Sequence, residues 1–255
     1  MFDQYLYPNW PTSGDAYVRV KSCMTTRAGG HSLPPYDSFN LALHVGDDPV
    51  TVAANRAELD CVLPSQPIWL NQVHGIDVVD VDQLDICQTP VADAAVTTTP
   101  GRVLAIMTAD CLPILMCDED AKIIGIAHAG WRGLCAGVVE NTIHSMLKKM
   151  NKPDSSLISA YLGPAIGPQS FEVGPEVRAA FIEQYPEDVE AFVDSHHAGK
   201  YLANLYNLAT RRLRRLGVQS ITGGDACTFL DEKFYSYRRN QRTGRMASFI
   251  WITAT

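Results

Sequence analysis

No uninterrupted apolar stretch reaches the length of about 18 residues that a membrane-spanning helix needs, so no segment reads as one. G-x-G-x-x-G after a strand-like run and G-x-x-x-x-G-K-[ST] are both absent, which argues against a dinucleotide fold and a P-loop. There is no internal repeat, no low-complexity tract and no Pro/Gly/Ser linker. Cationic residues are scarce: 21 Lys and Arg against 28 Asp and Glu give a formal charge of −7. Such a chain is a poor binder of nucleic acid or anionic membrane in bulk, although a local basic pocket for a phosphate is compatible with it. Met1–Asp15 contains Asp3, Asn9, Pro8, Pro11 and Gly14 and lacks the charged start and apolar stretch of a secretory signal. The cysteines (23, 61, 87, 111, 117, 135 and 227) are odd in number and show no framework spacing, which predicts reduced thiols and a cytoplasmic location.

What is present is an ordinary globular composition, 46% hydrophobic, in a chain of 255 residues. Residues 1–255 read as a single domain. Strand-length apolar or alternating runs occur at Val18–Thr25, Asp77–Val81, Arg102–Met107, Leu112–Cys117, Lys122–Ala127, Leu157–Leu162 and Met246–Ile252. Gly133–Met150 reads as a helix with Cys135, Val139, Thr142, Met146 and Met150 on one face. Tyr201–Leu216 reads as a second, with Leu202, Leu205, Ala209, Leu213 and Leu216 together. Its arginines 211, 212, 214 and 215, followed by Gly217, suit a helix end better than a nucleic-acid surface. A third helix is predicted from Gly174–Pro175 to Tyr185. Strands and helices mix without strict alternation, so the expected fold is α+β (mixed α/β), a layered sandwich of mixed β-sheets flanked by helices.

Three segments place reactive side chains beside glycine or proline at the ends of apolar runs. They are Asn71-Gln72-Val73-His74-Gly75, Thr108-Ala109-Asp110-Cys111-Leu112-Pro113 and His128-Ala129-Gly130-Trp131-Arg132-Gly133. Chain leaving a buried sheet exposes its next side chains at the rim, where sites are commonly built. Imidazole nitrogen and thiolate sulfur suit zinc, and three protein ligands leave a fourth position open, as in catalytic sites. Separations of 37 and 17 residues match no zinc finger, so spacing alone leaves the alternatives standing: a small buried Cys111 and two satisfied rim histidines.

In that order, N-Q-V-H-G, A-D-C-L-P-I and H-A-G-W-R-G resemble the laccase-domain family, first named multicopper polyphenol oxidases and now described as purine nucleoside phosphorylases with adenosine deaminase activity. The resemblance extends to Thr25–Gly30, Ser38–Asp47, Gly163–Gly167 with Phe171–Val173, Tyr237–Arg239 and Thr243–Arg245, and so covers nearly the whole chain. It implies zinc on His74, Cys111 and His128, action on adenosine, inosine and methylthioadenosine, and phosphate as co-substrate. Copper oxidase chemistry has little support, because a coupled multicopper cluster needs many imidazoles and the chain has seven histidines, of which His196 and His197 lie in a polar stretch.

The remaining roles have rival readings. Arg27, in a glycine-rich turn, is a candidate phosphate ligand or a surface turn arginine. Asn40 and His44 are a candidate ribose binder and proton donor, or loop structure capped by Asn40. Asp110 could orient a ligand, take a proton, or merely shape a turn. Arg132 and Arg242 are further anion candidates, and Trp131 packs its loop more readily than it stacks on a purine. Competing functions are a zinc amidase or hydrolase acting on a muramoyl-peptide precursor, a polyphenol oxidase, a thiol enzyme with Cys111 as nucleophile and His128 as base, and a non-enzymatic zinc-binding interaction module. The expected partners are a small nucleoside and phosphate, with neither nucleic acid nor membrane.

Overall fold

The computed structural model describes residues 3–10, 19–84, 89–151 and 153–254; Val18, the expected start of the first long strand, and Cys87 lie outside them. In chain order the strands are β1 (Tyr5–Leu6), β2 (Val20–Thr25), β3 (Val78–Asp80), β4 (Ala94–Thr97), β5 (Leu104–Thr108), β6 (Leu112–Asp118), β7 (Ile124–Ala129), β8 (Ile158–Leu162), β9 (Glu172–Val173), β10 (Phe192–Asp194), β11 (Tyr201–Ala203), β12 (Ser220–Gly223) and β13 (Met246–Ile252). The helices are α1 (Pro49–Glu58), α2 (Trp131–Ala136), α3 (Val138–Lys149), α4 (Pro175–Gln184) and α5 (Leu205–Arg215).

Side-chain alternation along these strands builds the layers. In β13, Ile250 and Ile252 point into one core while Ala247, Phe249 and Trp251 point into another. β5 does the same with Leu104 and Ile106 against Ala105 and Met107. Both faces of the antiparallel sheet β1-β2-β13-β5 are therefore covered. One face meets the mixed sheet β12-β8-β6-β7-β4-β3; the other meets Phe39, Leu41 and Leu59. On the far side of the six-stranded sheet, Leu112, Ile114 and Met116 of β6 pack with Val139, Ile143 and Met146 of α3 and with Leu205, Ala209 and Leu213 of α5. Each such fully buried aliphatic side chain contributes about 1.5–3 kcal/mol of hydrophobic stabilisation. A small antiparallel sheet, β10-β11-β9, borders this helical layer. The fold is the mixed α+β layered sandwich expected from the sequence.

Several boundaries differ from expectation for identifiable reasons. The helix predicted over 133–150 is two helices, because Gly137 adopts φ 108° and ends α2 before α3 begins. Tyr201–Ala203 pairs with β9 and β10 as a strand, and the helix starts only after Asn204, whose side chain accepts from the Asn207 N–H. The arginines at the end of α5 serve packing. Arg212 is buried beside Glu140 and over the Tyr185 ring, and Arg215 pairs with Glu187 and Asp188. Helix α1 was not predicted, although Asp48 caps it and Pro49 opens it.

Pairing of β6 with β7 is antiparallel, Pro113 opposite His128 and Leu112 opposite Ala129. The residue before β6 and the last residues of β7 thus lie at one end of the sheet. Antiparallel pairing of β4 with β7 and parallel pairing of β3 with β4 bring the segments before β3 and β4 to that same end.

Candidate metal centre and its cavity

At that sheet end His74, Cys111 and His128 converge, with one donor atom from each lying within 4.8 Å of the others. Cys111 Sγ is 3.9 Å from His74 Nε2, and the two imidazole rings are 4.8 Å apart between centroids. The 17-residue separation of Cys111 and His128 is the length of the β6–β7 hairpin. His74 comes from the loop before β3 and holds φ 60°, a left-handed conformation uncommon for a residue with a Cβ. That loop is fixed by a buried carboxylate: Asp93 accepts hydrogen bonds from the backbone N–H groups of Val73 (3.0 Å), His74 (2.9 Å) and Gly75 (2.7 Å). The same carboxylate lies 2.7 Å from His128 Nδ1. Asp93 therefore orients both histidines, in the carboxylate–imidazole arrangement that supports metal-binding histidines and leaves Nε2 of His128 for a metal.

The group fits a metal on two counts. Its donors are two imidazoles and a thiol, and their exposure grades from buried His128 through Cys111 to exposed His74, so one side stays open. Gly130 also permits it: a methyl group there would lie 2.9 Å from Cys111 Sγ and 3.2 Å from His74 Cδ2. Burial pushes the Cys111 thiol up, but the His128 and His74 imidazoles outweigh it and bring the thiol down to about 6. Burial alone would lower His128; the Cys111 and Asp93 charges beside it prevail and raise it to about 9. Burial likewise works against the Asp93 carboxylate charge, yet its bonds from His128, Gly75 and Val73 hold it below the usual range. Both shifts favour the charged forms, thiolate beside imidazolium, and a divalent cation on these donors would take the place of the imidazole proton.

The open side faces a cavity of about 490 Å³, within the range of small-molecule sites. Gln72, His44, Trp131, Phe171 and Tyr237 line it, and so do the guanidinium groups of Arg132, Arg238 and Arg245. None of these three arginines is within ion-pair distance of a carboxylate among the described residues. His44 sits at the mouth. Partial burial, then Arg245 and Arg56, hold its imidazole below its ordinary value.

Of the other expected residues, Asp110 lines the cavity with φ 91°, and both carboxylate oxygens are engaged, by Thr228 Oγ1 (2.6 Å) and the Arg238 N–H (2.7 Å). Arg132 lines it too, its guanidinium 4.6 Å from the Trp131 ring centre. Arg27 is elsewhere: its guanidinium pairs with Asp37 at 2.6 Å and lies over the Tyr235 ring, which leaves no free charge for a phosphate. Asn40 is fully buried as loop structure, giving its amide to Ala42 O and Asp47 and accepting from the Ala42 and Arg245 N–H groups. Arg242 is exposed and does not line the cavity. His197 is exposed beside Glu172. Sequence reasoning assigns no role to Asp93, Gln72, Arg238 or Arg245, although the last three lie within motifs that carry the resemblance. An isolated Asp before Ala-Ala-Val carries no motif, and the arginines become site residues only because the 237–245 segment folds back onto the β6 end.

Residues 21–253 match the family model described as multi-copper polyphenol oxidoreductase laccase. The purine nucleoside phosphorylase YfiH of Shigella flexneri is 49% identical over 250 residues, covering 97% of this chain and 98% of that protein. A purine nucleoside phosphorylase of Pseudomonas aeruginosa is 48% identical over 249 residues, with the same coverage of 97% and 98%. The crystal structure of a Neisseria meningitidis protein, 44% identical, superposes with a TM-score of 0.89 over 99% of this chain and 100% of that one.

Proposed function

The chain belongs to the multi-copper polyphenol oxidoreductase laccase family, and from that membership and the geometry of its metal group we propose that it is a zinc-dependent purine nucleoside phosphorylase. The reading includes adenosine, inosine and methylthioadenosine as substrates, adenosine deamination as a second activity at the same site, and a cytoplasmic location. No helix among the described residues is long and apolar enough to cross a membrane, and the six described cysteines are free. Residues 1–255 act as one catalytic unit, since the cavity takes side chains from His44 to Arg245.

The observation that carries the proposal is a His/Cys/His group opening onto a cavity ringed by unneutralised arginines. Among the described residues it is the one cluster of at least three His, Cys, Asp or Glu donors close enough to share a metal, whereas a coupled multicopper centre needs several imidazole sets. Soft thiolate with imidazole suits zinc, and zinc bound there supplies Lewis acidity beside the substrate.

In phosphorolysis the bond from ribose C1 to the purine nitrogen breaks, its electron pair leaves with the base, and a phosphate oxygen bonds to C1. Positive charge builds on the ribose at the transition state, and a phosphate held beside C1 offsets it. Trp131, Phe171 and Tyr237 supply apolar surface for a purine, and the arginines hold the anion. His44, its imidazole held below the ordinary value, takes a proton from phosphate and returns it to the departing purine, or in deamination takes it from the attacking water and returns it to the departing ammonia. Asp110, with both oxygens engaged, positions Arg238 and the Thr228 loop. The test follows adenine, inosine and ribose 1-phosphate separately while phosphate is titrated. With hypoxanthine followed as well, adenine plus hypoxanthine should equal ribose 1-phosphate and appear only with phosphate, while inosine forms without it. Adenine release at an unchanged rate in phosphate-free buffer would mean hydrolysis and would remove the phosphorylase reading.

A further inference from the structure

Arginines in this protein fall into distinct groups by what holds them. Arg27, Arg211, Arg212 and Arg215 are paired with carboxylates, so their charge is spent within the fold. Arg239 gives Nη1 to Thr228 O and Phe229 O and Nη2 to Phe234 O, and both terminal nitrogens are thereby used on loop carbonyls. Arg245 and Arg238 differ from both groups. Arg245 gives Nη1 to Thr243 O (2.9 Å) and Gly244 O (3.0 Å). Arg238 gives Nη1 to Glu172 O (3.0 Å) and Ser170 O (3.5 Å). Each is thus pinned through one terminal nitrogen by neutral carbonyls, keeps its Nη2 and Nε edge free of any protein acceptor among the described residues, and lines the same cavity.

Pinning has physical consequences. Carbonyl oxygens fix a guanidinium without cancelling its charge, whereas a carboxylate would cancel it. The rotamer entropy of a long side chain is then lost on folding and not on ligand binding, which strengthens the later contact. The main chain is held as firmly: the Arg245 N–H donates to buried Asn40 Oδ1 (2.9 Å) and the Arg238 N–H to Asp110 Oδ2 (2.7 Å). Aromatic faces back both guanidiniums, with Tyr237 5.8 Å from Arg245 Cζ and Phe171 5.6 Å from Arg238 Cζ. Arg245 is the deeper of the two, half-buried, and Arg238 is exposed at the mouth.

We propose that Arg245 and Arg238 form a preorganised subsite for a tetrahedral oxyanion, with Arg245 as its anchor and inorganic phosphate as its occupant. Two free guanidinium edges match the oxygens of a tetrahedral anion, each able to make paired N–H···O bonds. The subsite rests on the phosphorylase reading for the identity of the anion and not for its existence. Because it is formed before any nucleoside arrives, it binds phosphate in the absence of nucleoside.

The experiment titrates inorganic phosphate, and sulfate as a non-reactive competitor, into the zinc-loaded protein at constant ionic strength without nucleoside, with heat of binding as the readout. Wild type should bind phosphate and sulfate competitively. Arg245→Gln should weaken phosphate on the order of tenfold to a hundredfold, the value of a charge-assisted contact, and Arg238→Gln should weaken it less. Arg245→Lys keeps the charge but loses the fork and should remain clearly weaker than wild type, which covers the case in which Arg245→Gln does not fold. Zinc content is measured on every variant, so that a lost anion is not a lost metal. Absence of phosphate binding by wild type without nucleoside would overturn the subsite. So would unchanged affinity in Arg245→Lys together with Arg238→Gln, or an equal loss in Arg27→Gln, which would point to net charge in place of the two forks. If phosphate binds as described but adenine release does not depend on it, the phosphorylase reading fails and the subsite stands.

Discussion

Replacing Asp93 by Asn removes one charge and one acceptor from a carboxylate with no solvent exposure. Its Oδ1 serves the His74 N–H at 2.9 Å and lies 2.7 Å from His128 Nδ1, and its Oδ2 serves the N–H groups of Val73 at 3.0 Å and Gly75 at 2.7 Å. Asparagine can satisfy only one of these pairs. With its oxygen in the Oδ1 position, its NH₂ faces two backbone donors and the 73–75 loop carrying His74 loosens. With its oxygen in the Oδ2 position, His128 loses the partner that fixes its ring and tautomer. Either orientation loosens one of the two histidines proposed to hold the metal. Two unsatisfied buried donors at about 1–3 kcal/mol each predict a stability loss on the order of 2–5 kcal/mol after relaxation. Loss of a carboxylate behind a metal-binding histidine predicts a zinc affinity about 10–100-fold lower. The assay is competition for zinc against a chromophoric chelator, with thermal unfolding of the same samples with and without zinc. Asp93→Asn that is folded and holds zinc as tightly as wild type would refute the assignment of Asp93 as the shared support of His74 and His128.

Cys111→Ala and His128→Ala should each abolish turnover and zinc retention while leaving a folded protein, as elemental analysis and circular dichroism would report; near wild-type rates would place the site elsewhere. Gly130→Ala sets a methyl group 2.9 Å from Cys111 Sγ and should lower zinc occupancy with little change in the rest of the fold, read by zinc content and melting temperature. Zinc affinity should rise with pH between about 6 and 9, because His128, raised to about 9, stays protonated over that range and must lose its proton to bind the metal. The expected slope is about tenfold per pH unit for one released proton, steeper below about 6 where Cys111 must also ionise, and affinity independent of pH from 6.5 to 8.5 would contradict the thiolate–imidazolium pair.

Parts of the fold that depend on local pattern were legible in the chain before folding was known. Met246–Ile252 is a near-continuous apolar run whose bounds were legible, and Leu112–Cys117 and Leu157–Leu162 were read to within one residue of the strands formed. The residue types near strand ends were equally legible, which is why His74, Cys111 and His128 stood out before their proximity was known. Lys122–Ala127 lies two residues ahead of β7 at both ends; it stops early because His128 interrupts the apolar pattern, yet His128 is a buried residue of β7 whose polarity is met by Asp93. Tertiary structure decided which of the chemically suitable side chains share a site. Antiparallel pairing of β6 with β7 and the β3–β4–β7 arrangement bring residues 74, 93, 111 and 128 to one sheet end, a long-range fact that no short window of sequence carries. The arginines show the same division. Arg27 lies in a glycine-rich turn that suits an anion but meets Asp37, whereas Arg245 meets only carbonyls, so the fold leaves its charge available. A residue type fixes what a group can do; whether its charge is already neutralised depends on neighbours that the folded chain alone supplies.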